Sequence, residues 1–317
     1  MVYHDRIYGE INIEEPVILE LIESRPLQRL KGIAQYGIPD EFYHLSGYNR
    51  FEHSVGVMLL LKKLDAKLEE QIAGLLHDVS HTAFSHVFDW IYGGGETEDH
   101  QDKTHKGFIL KSEIPQIIKK YNLNSSRILQ IENYKLLEQE IPALCADRID
   151  YAFRDGLWGN KSAIQDCLNS LINFNGNIVF TNLGIAEFFA RNYLKCQAEH
   201  WGGYEAVGRY RYFSQVLKEA LDKNILSIED FYQDDNFVVR KIYESKDSNL
   251  VGPLEKLKKK QVEKPNLSKE QILKKKFRFV DPTILQNGKI FTLSSISPEF
   301  ERFLENQRSI NSKGFKF

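Results

Sequence analysis

The sequence predicts a mainly α-helical protein with a small α+β appendage at its C-terminal end. Two observations lead there. From about residue 14 to residue 230 the apolar residues recur at helical spacing, as in Val57, Leu60, Leu61, Leu64 and Leu68. After residue 230 lysines crowd together, and short β-type runs follow them. The expected organisation is a helical core over residues 1–230 and a lysine-rich α+β region over residues 231–317.

At 317 residues, 42% of them hydrophobic, the chain can bury one large core or two modest ones. A formal net charge of -2 argues against a nucleic-acid coat protein, although local patches can still bind phosphates. Cys145, Cys167 and Cys196 are odd in number and lack CxxC spacing, as expected of reduced thiols packed as small apolar side chains. Residues 1–6 lack an apolar signal region, and no stretch reaches the roughly 18 apolar residues of a membrane span. A soluble, cytoplasmic protein without a membrane partner is expected.

In chain order, the stripe from Val57 to Leu68 predicts one buried helix, with His53 on the same stripe at the core edge. Ile72, Leu75, Leu76 and Val79 predict a second helix carrying His77 and Asp78, with His81 on the face of His77. Gly93, Gly94 and Gly95, followed by Glu96, Glu98, Asp99 and Asp102, predict an acidic lid or connector without the Lys-Ser/Thr of a P-loop. Asp147, Asp150, Tyr151, Arg154 and Asp155 fall on one face of a further helix. Residues 176–181 predict a short strand after a turn, and helices follow from about 183 to 199 and 204 to 223. Lys256, Lys258, Lys259, Lys260, Lys264, Lys269, Lys274, Lys275 and Lys276 surround Pro265. That run is either a solvated face or linker, or the seat of an anionic partner or regulatory nucleotide. Residues 277–280 and 289–293 complete the appendage as expected strands.

His53, His77, Asp78 and Asp147 supply two imidazoles and two carboxylates from three separate segments, in the order H…HD…D. Hard divalent cations accept such donors, and four ligands leave about two positions of an octahedral ion open for water and substrate. Mn, Fe, Mg, Co and Ni suit the set comparably. A lone core histidine is commonly a packing residue, but four donors in this order are hard to obtain by accident. The remaining His81, His86 and His105 titrate near neutrality when unperturbed, which makes them candidates for proton transfer; His86 fits a structural role equally well.

These blocks resemble the HD-domain superfamily, and most of all its deoxynucleoside triphosphate triphosphohydrolase branch. The resemblance covers roughly residues 1–200 and is carried by residues 28–31, 49–54, 77–86, 104–105 and 147–155. It implies an HD-domain helical fold with a divalent metal ion on His53, His77, Asp78 and Asp147. It also implies that His81 and His105 are catalytic, with His105 protonating a leaving oxygen and His86 as a further candidate. Arg50 would contact the triphosphate, and Gln35, Tyr36, Tyr151 and Asp155 would face the nucleoside. The implied reaction is water attack at the α-phosphorus, releasing nucleoside and intact triphosphate. The implied partners are a nucleotide, in the first place a deoxynucleoside triphosphate, and further copies of the chain in a homo-oligomer. The alternatives are a phosphomonoesterase or phosphodiesterase acting on another nucleotide, or a nucleic-acid-binding or nucleotide-sensing protein.

Overall fold

The computed structural model describes residues 1–93, 97–155, 161–259, 272–273 and 275–316. It is mainly helical with small sheets, and no described helix is long and apolar enough to cross a membrane. An antiparallel hairpin, β1 (Val2–Asp5) and β2 (Gly9–Asn12), leads into α1 (Pro16–Ile22) and α2 (Arg25–Arg29). Both short helices begin with a proline in the first turn, where the missing N–H has no intrahelical partner to lose.

The central helix is α3 (Arg50–Lys63). The Asn49 side chain caps it by accepting from the Glu52 N–H at 2.9 Å, and Glu52 and Lys62/Lys63 match the helix dipole at either end. Against it packs α4 (Leu68–Leu76). A Cβ on Gly74 would stand 2.4 Å from Leu61 Cδ1, so glycine is what permits this close crossing.

The expected continuation of α4 through Val79 does not occur. In a longer helix the Gly74 carbonyl would accept from the Asp78 N–H; instead the His77 ring donates to it from Nδ1 at 2.7 Å. The chain then turns, with Val79 N–H donating to the Leu76 carbonyl at 3.1 Å and His81 N–H to the Asp78 carbonyl at 3.0 Å. His77 and Asp78 therefore sit at a helix end rather than on its flank, and His81 does not share a helical face with His77.

Next come α5 (Val87–Ile91), α6 (His100–Leu110), α7 (Ile114–Lys120) and α8 (Ser125–Ile128). They are followed by α9 (Ala146–Arg154) and α10 (Lys161–Ser170). The hairpin β3 (Leu171–Phe174) and β4 (Asn177–Phe180) precedes α11 (Leu183–Cys196), a π turn (Gln197–Trp201) and α12 (Tyr204–Asp222). Then come α13 (Asp235–Glu244), α14 (Ser248–Lys258) and the two-residue β5 (Ile272–Leu273). The chain continues through β6 (Thr283–Gln286), β7 (Lys289–Thr292), α15 (Leu293–Ile296), α16 (Pro298–Ser312) and β8 (Phe315–Lys316). The order β3-β4-β6-β7 makes a four-stranded sheet in which Phe180 of β4 lies opposite Ile284 of β6 in parallel register.

Residues 277–280, expected as a strand, are irregular. Their polar groups go to side chains and loops instead: Arg278 N–H donates to Gln197 Oε1 at 3.2 Å, and the adjacent Asp281 N–H donates to the Pro142 carbonyl at 2.9 Å. Lys260, Lys264, Lys269 and Lys274 of the lysine run, and Gly94, Gly95 and Glu96 of the acidic loop, lie outside the described residues.

The buried apolar side chains form two clusters. One joins α3, α4, α9 and α11 to the C-terminal region, including Val280, Ile284 and Phe300. The other joins residues 36–48 to α5, α12, α13 and α14. Asp235, the first residue of α13, ties the second cluster to two loops by accepting from the N–H groups of Ala34 at 2.8 Å and Phe84 at 2.7 Å. Burial pushes its carboxyl up to about 7.

Candidate active site

A cavity of about 980 Å³ takes its walls from both clusters. At its base, α3 presents His53, the end of α4 presents His77 and Asp78, and the first turn of α9 presents Asp147. His53 Nε2 lies 2.9 Å from Asp147 Oδ1 and 3.3 Å from His77 Nε2, and His77 Nε2 lies 3.5 Å from Asp147 Oδ1. Asp78 stands alongside, its carboxylate 3.5 Å from His77 Nε2 and 3.8 Å from His53 Nε2.

His53, His77 and Asp147 bring their ligand atoms close enough to fit one hard divalent cation, while Asp78, bonded to Arg50, stands beside that group. The second nitrogen of each ring is already engaged, His77 Nδ1 by the Gly74 carbonyl and His53 Nδ1 by Asp150 Oδ2 at 2.7 Å, so both Nε2 atoms turn to one point. Burial works against a charged His53, yet hydrogen bonds to Asp147 and Asp150 outweigh it and raise the group to about 10. A cation placed there gains the carboxylates that favour the proton. Spacing alone groups Asp150 with the α9 face. In the fold it is fully buried and also accepts from Arg154 Nε at 2.7 Å and from the Tyr8 hydroxyl at 2.8 Å.

Arg50 binds Asp78 and donates to Ser85 Oγ at 2.6 Å. Burial opposes ionisation of Asp78, but the Arg50 guanidinium and the neighbouring histidines hold its carboxyl well below the usual range. His81 Nε2 lies 3.2 Å from Asp78 Oδ1; burial and the Arg50 charge keep it well below the usual histidine range. His86 packs edge-on against His81 at 5.0 Å between ring centroids and stands 3.4 Å from Asp89.

On α6, His105 is buried, and burial followed by the His77 charge lowers it to about 4. Its Nδ1 lies 3.1 Å from Ser80 Oγ and 3.4 Å from the Gln101 amide nitrogen. With Nδ1 accepting from these donors, the neutral ring carries its proton on Nε2, an atom without a hydrogen-bond partner among the described residues.

One further wall of the cavity is aromatic. Tyr36, Tyr43 and Tyr48 come from one loop, and Tyr151 and Trp201 face them from α9 and the π turn. Trp201 Nε1–H donates to Asp155 Oδ2, while Asp155 Oδ1 and the buried Gln35 Oε1 have no hydrogen-bond partner among the described residues. Burial pushes the Asp155 carboxyl up to about 7. His200 stands edge-on to Tyr36 at 4.4 Å, and burial lowers it to about 3.

The structure thus brings Gln35, Tyr36, Arg50, His77, Asp78, His81, His86, His105, Asp147, Tyr151 and Asp155 to one cavity, with His53 buried beneath it. Sequence reasoning missed Tyr43 and Tyr48, whose signal was the density of aromatic residues between positions 36 and 48. It also missed Trp201, Tyr210, Glu98 and Arg278, which line the same space.

A helical scaffold gathering the H…HD…D donors beneath one cavity defines a metal-dependent phosphohydrolase. The HD domain family model matches residues 50–155, and the chain belongs to that family and uses a divalent metal ion. It is 38% identical to the uncharacterized protein YdhJ of Bacillus subtilis, over 98% of this chain and 96% of that one. It is 35% identical to the metal-dependent phosphohydrolase cns2 of Cordyceps militaris, over 71% of this chain and 67% of that one. The deoxynucleoside triphosphate triphosphohydrolase SAMHD1 of Homo sapiens is 25% identical over 80% of this chain, which spans 43% of that protein.

Proposed function

We propose that the chain hydrolyses nucleoside triphosphates, deoxynucleoside triphosphates first among them, to nucleoside and intact triphosphate. The carrying observation is the composition of the cavity. It joins a His/Asp donor cluster, an aromatic wall with unpaired polar atoms on Asp155 and Gln35, and the cations Arg50, Lys275, Lys276 and Arg278. An ester with a flat base, a sugar and several phosphates matches those surfaces together. The likeness to SAMHD1 points the same way.

In this reading His53, His77, Asp78 and Asp147 hold the metal ion, which when bound polarises a phosphoryl oxygen and acidifies water. Arg50 neutralises phosphate charge. Tyr36 and Tyr151 pack against the nucleoside, while Gln35 and Asp155 accept hydrogen bonds from it. His81 stays neutral beside Asp78, braced by His86, and can hydrogen-bond the phosphoryl group being transferred. His105 faces the departing 5′-oxygen with Nε2. The negative charge of bound phosphates favours its imidazolium, Ser80 Oγ accepts from Nδ1–H, and the Nε2 proton passes to the oxygen as the P–O bond breaks, leaving the neutral ring.

His105→Ala is therefore expected to lower kcat by roughly a hundredfold or more with little change in KM. Equal losses in kcat and in substrate binding would remove the acid role. The reading as a whole is tested by turnover with Mn²⁺ on all dNTPs, all NTPs and a generic phosphodiester, with products separated by ion-exchange chromatography. Nucleoside plus triphosphate is the expected result. Orthophosphate or diester cleavage alone would assign the site to a different reaction.

A further inference from the structure

We propose that Lys275, Lys276 and Arg278 form a phosphate-binding subsite that grips the distal phosphates of a polyphosphate ester. This rests on the triphosphate reading of the same cavity and deepens it, because it assigns a role to residues beyond the stretch that resembles the family.

Lys275 is only 7% exposed, yet it lines the cavity. Its ammonium lies 3.5 Å from the Tyr210 ring centroid, and it makes no hydrogen bond to any described residue. A cation–π contact of this kind recovers less than the cost of withdrawing an ammonium from water, so the group is held where an incoming anion would complete it. Burial lowers Lys275 to about 7, with Glu98 opposing and Arg278 adding to the shift. A phosphate arriving there would restore the full charge.

The neighbouring backbone is built into place rather than draped over the surface. The buried Gln197 side chain accepts from the Arg278 N–H at 3.2 Å, donates to the Lys276 carbonyl at 3.4 Å and reaches Asn311 Oδ1 at 3.3 Å. Arg278 commits one guanidinium nitrogen to Glu98, whose carboxylate is held well below its usual range against the pull of burial. Glu98 pairs with Arg278 and Asp102 lies in the field of Lys276, so the three cations share two carboxylates on this wall of the cavity. Burial and Glu98 push the Tyr210 hydroxyl up while Arg278 and Arg50 pull it down, so these two guanidinium groups act on the ring that Lys275 covers. A single phosphate at the donor cluster, already met by a metal ion and Arg50, has no need of three further cations. A chain of phosphates does.

The test is calorimetric titration of the Mn²⁺-loaded full chain with inorganic tripolyphosphate and, separately, with orthophosphate. Lys275→Met keeps the apolar stem over Tyr210, and Lys276→Ala changes an exposed side chain, so neither variant should disturb folding. Each is expected to weaken tripolyphosphate binding about tenfold, the loss of a charge-assisted hydrogen bond, and to leave orthophosphate binding within about twofold. Unchanged tripolyphosphate affinity in both variants, with normal thermal melts, would overturn the subsite. A parallel loss for both anions would overturn it too, since the cations would then serve any phosphate. If the expected losses appear but no nucleoside triphosphate is turned over, the subsite stands and the triphosphohydrolase reading falls.

Discussion

Asp147→Ala is expected to reduce turnover by at least about a thousandfold, roughly 4 kcal/mol of transition-state stabilisation, while the protein still unfolds cooperatively. Asp147 sits in the first turn of α9, is partly exposed, and can become alanine without breaking the helix. What it removes is the carboxylate 2.9 Å from His53 Nε2 and 3.5 Å from His77 Nε2, leaving Asp78 as the remaining carboxylate donor of the proposed set. Metal content by mass spectrometry should fall with activity, and circular dichroism should not change. A variant that keeps both its metal and its turnover would take Asp147 out of the ligand set.

The second large effect is expected at Gly56→Ala, one turn along α3 from His53. Glycine inside a helix ordinarily weakens it, and alanine would improve α3 by up to about 1 kcal/mol. Here a Cβ would stand 2.0 Å from Arg154 Nη2 and 2.2 Å from Asp150 Oδ1. Neither atom can move cheaply. Arg154 Nη2 is bonded to Asp5 Oδ2 at 2.8 Å, and Asp150 is held by His53, Arg154 and Tyr8. Forcing apart a fully buried ion pair should cost about 3 kcal/mol or more, a fall of about 4–5 °C or more in Tm for a chain of this size. Because Asp150 orients His53, metal affinity should drop as well. An unchanged melting temperature would mean that α3 and α9 are more loosely apposed than the structure shows.

The helices that frame the site were legible because their periodicity is local: α11 and α12 lie close to where apolar spacing placed them. The stripe expected as one helix from Val57 to Leu68 is divided, with α3 ending at Lys63, Asp65 turning the chain at φ 54°, and Leu68 opening α4. The end of α4 was not, since its cause is the His77 ring claiming a carbonyl, and apolar spacing carries no information about which side chain will do that. Residues 277–280 alternate like a strand, but the Arg278 N–H is taken by the Gln197 side chain, a partner distant in sequence. The site divides along the same line. The donor cluster was legible as residue types in a fixed order. Tyr36 and Tyr151 of the aromatic wall were legible through the family resemblance, and Lys275 and Lys276 stood in a run open to two readings. Tyr43, Trp201 and Arg278 were not legible, because only the folded chain brings them together.

Gln197 and the parallel pairing of Phe180 with Ile284 have a consequence for how the molecule is made. Synthesis proceeds from the N-terminus, so the histidine and tyrosine side of the cavity emerges from the ribosome long before residues 275–278. Until those residues dock against Gln197, the donors stand without the three cations that this segment brings to their cavity. Parallel pairing across so long a loop is among the slower steps of folding. Lys275, Lys276 and Arg278 are thus translated well after the His/Asp donors of the same cavity, and a chain cut before residue 275 would carry the donors without them.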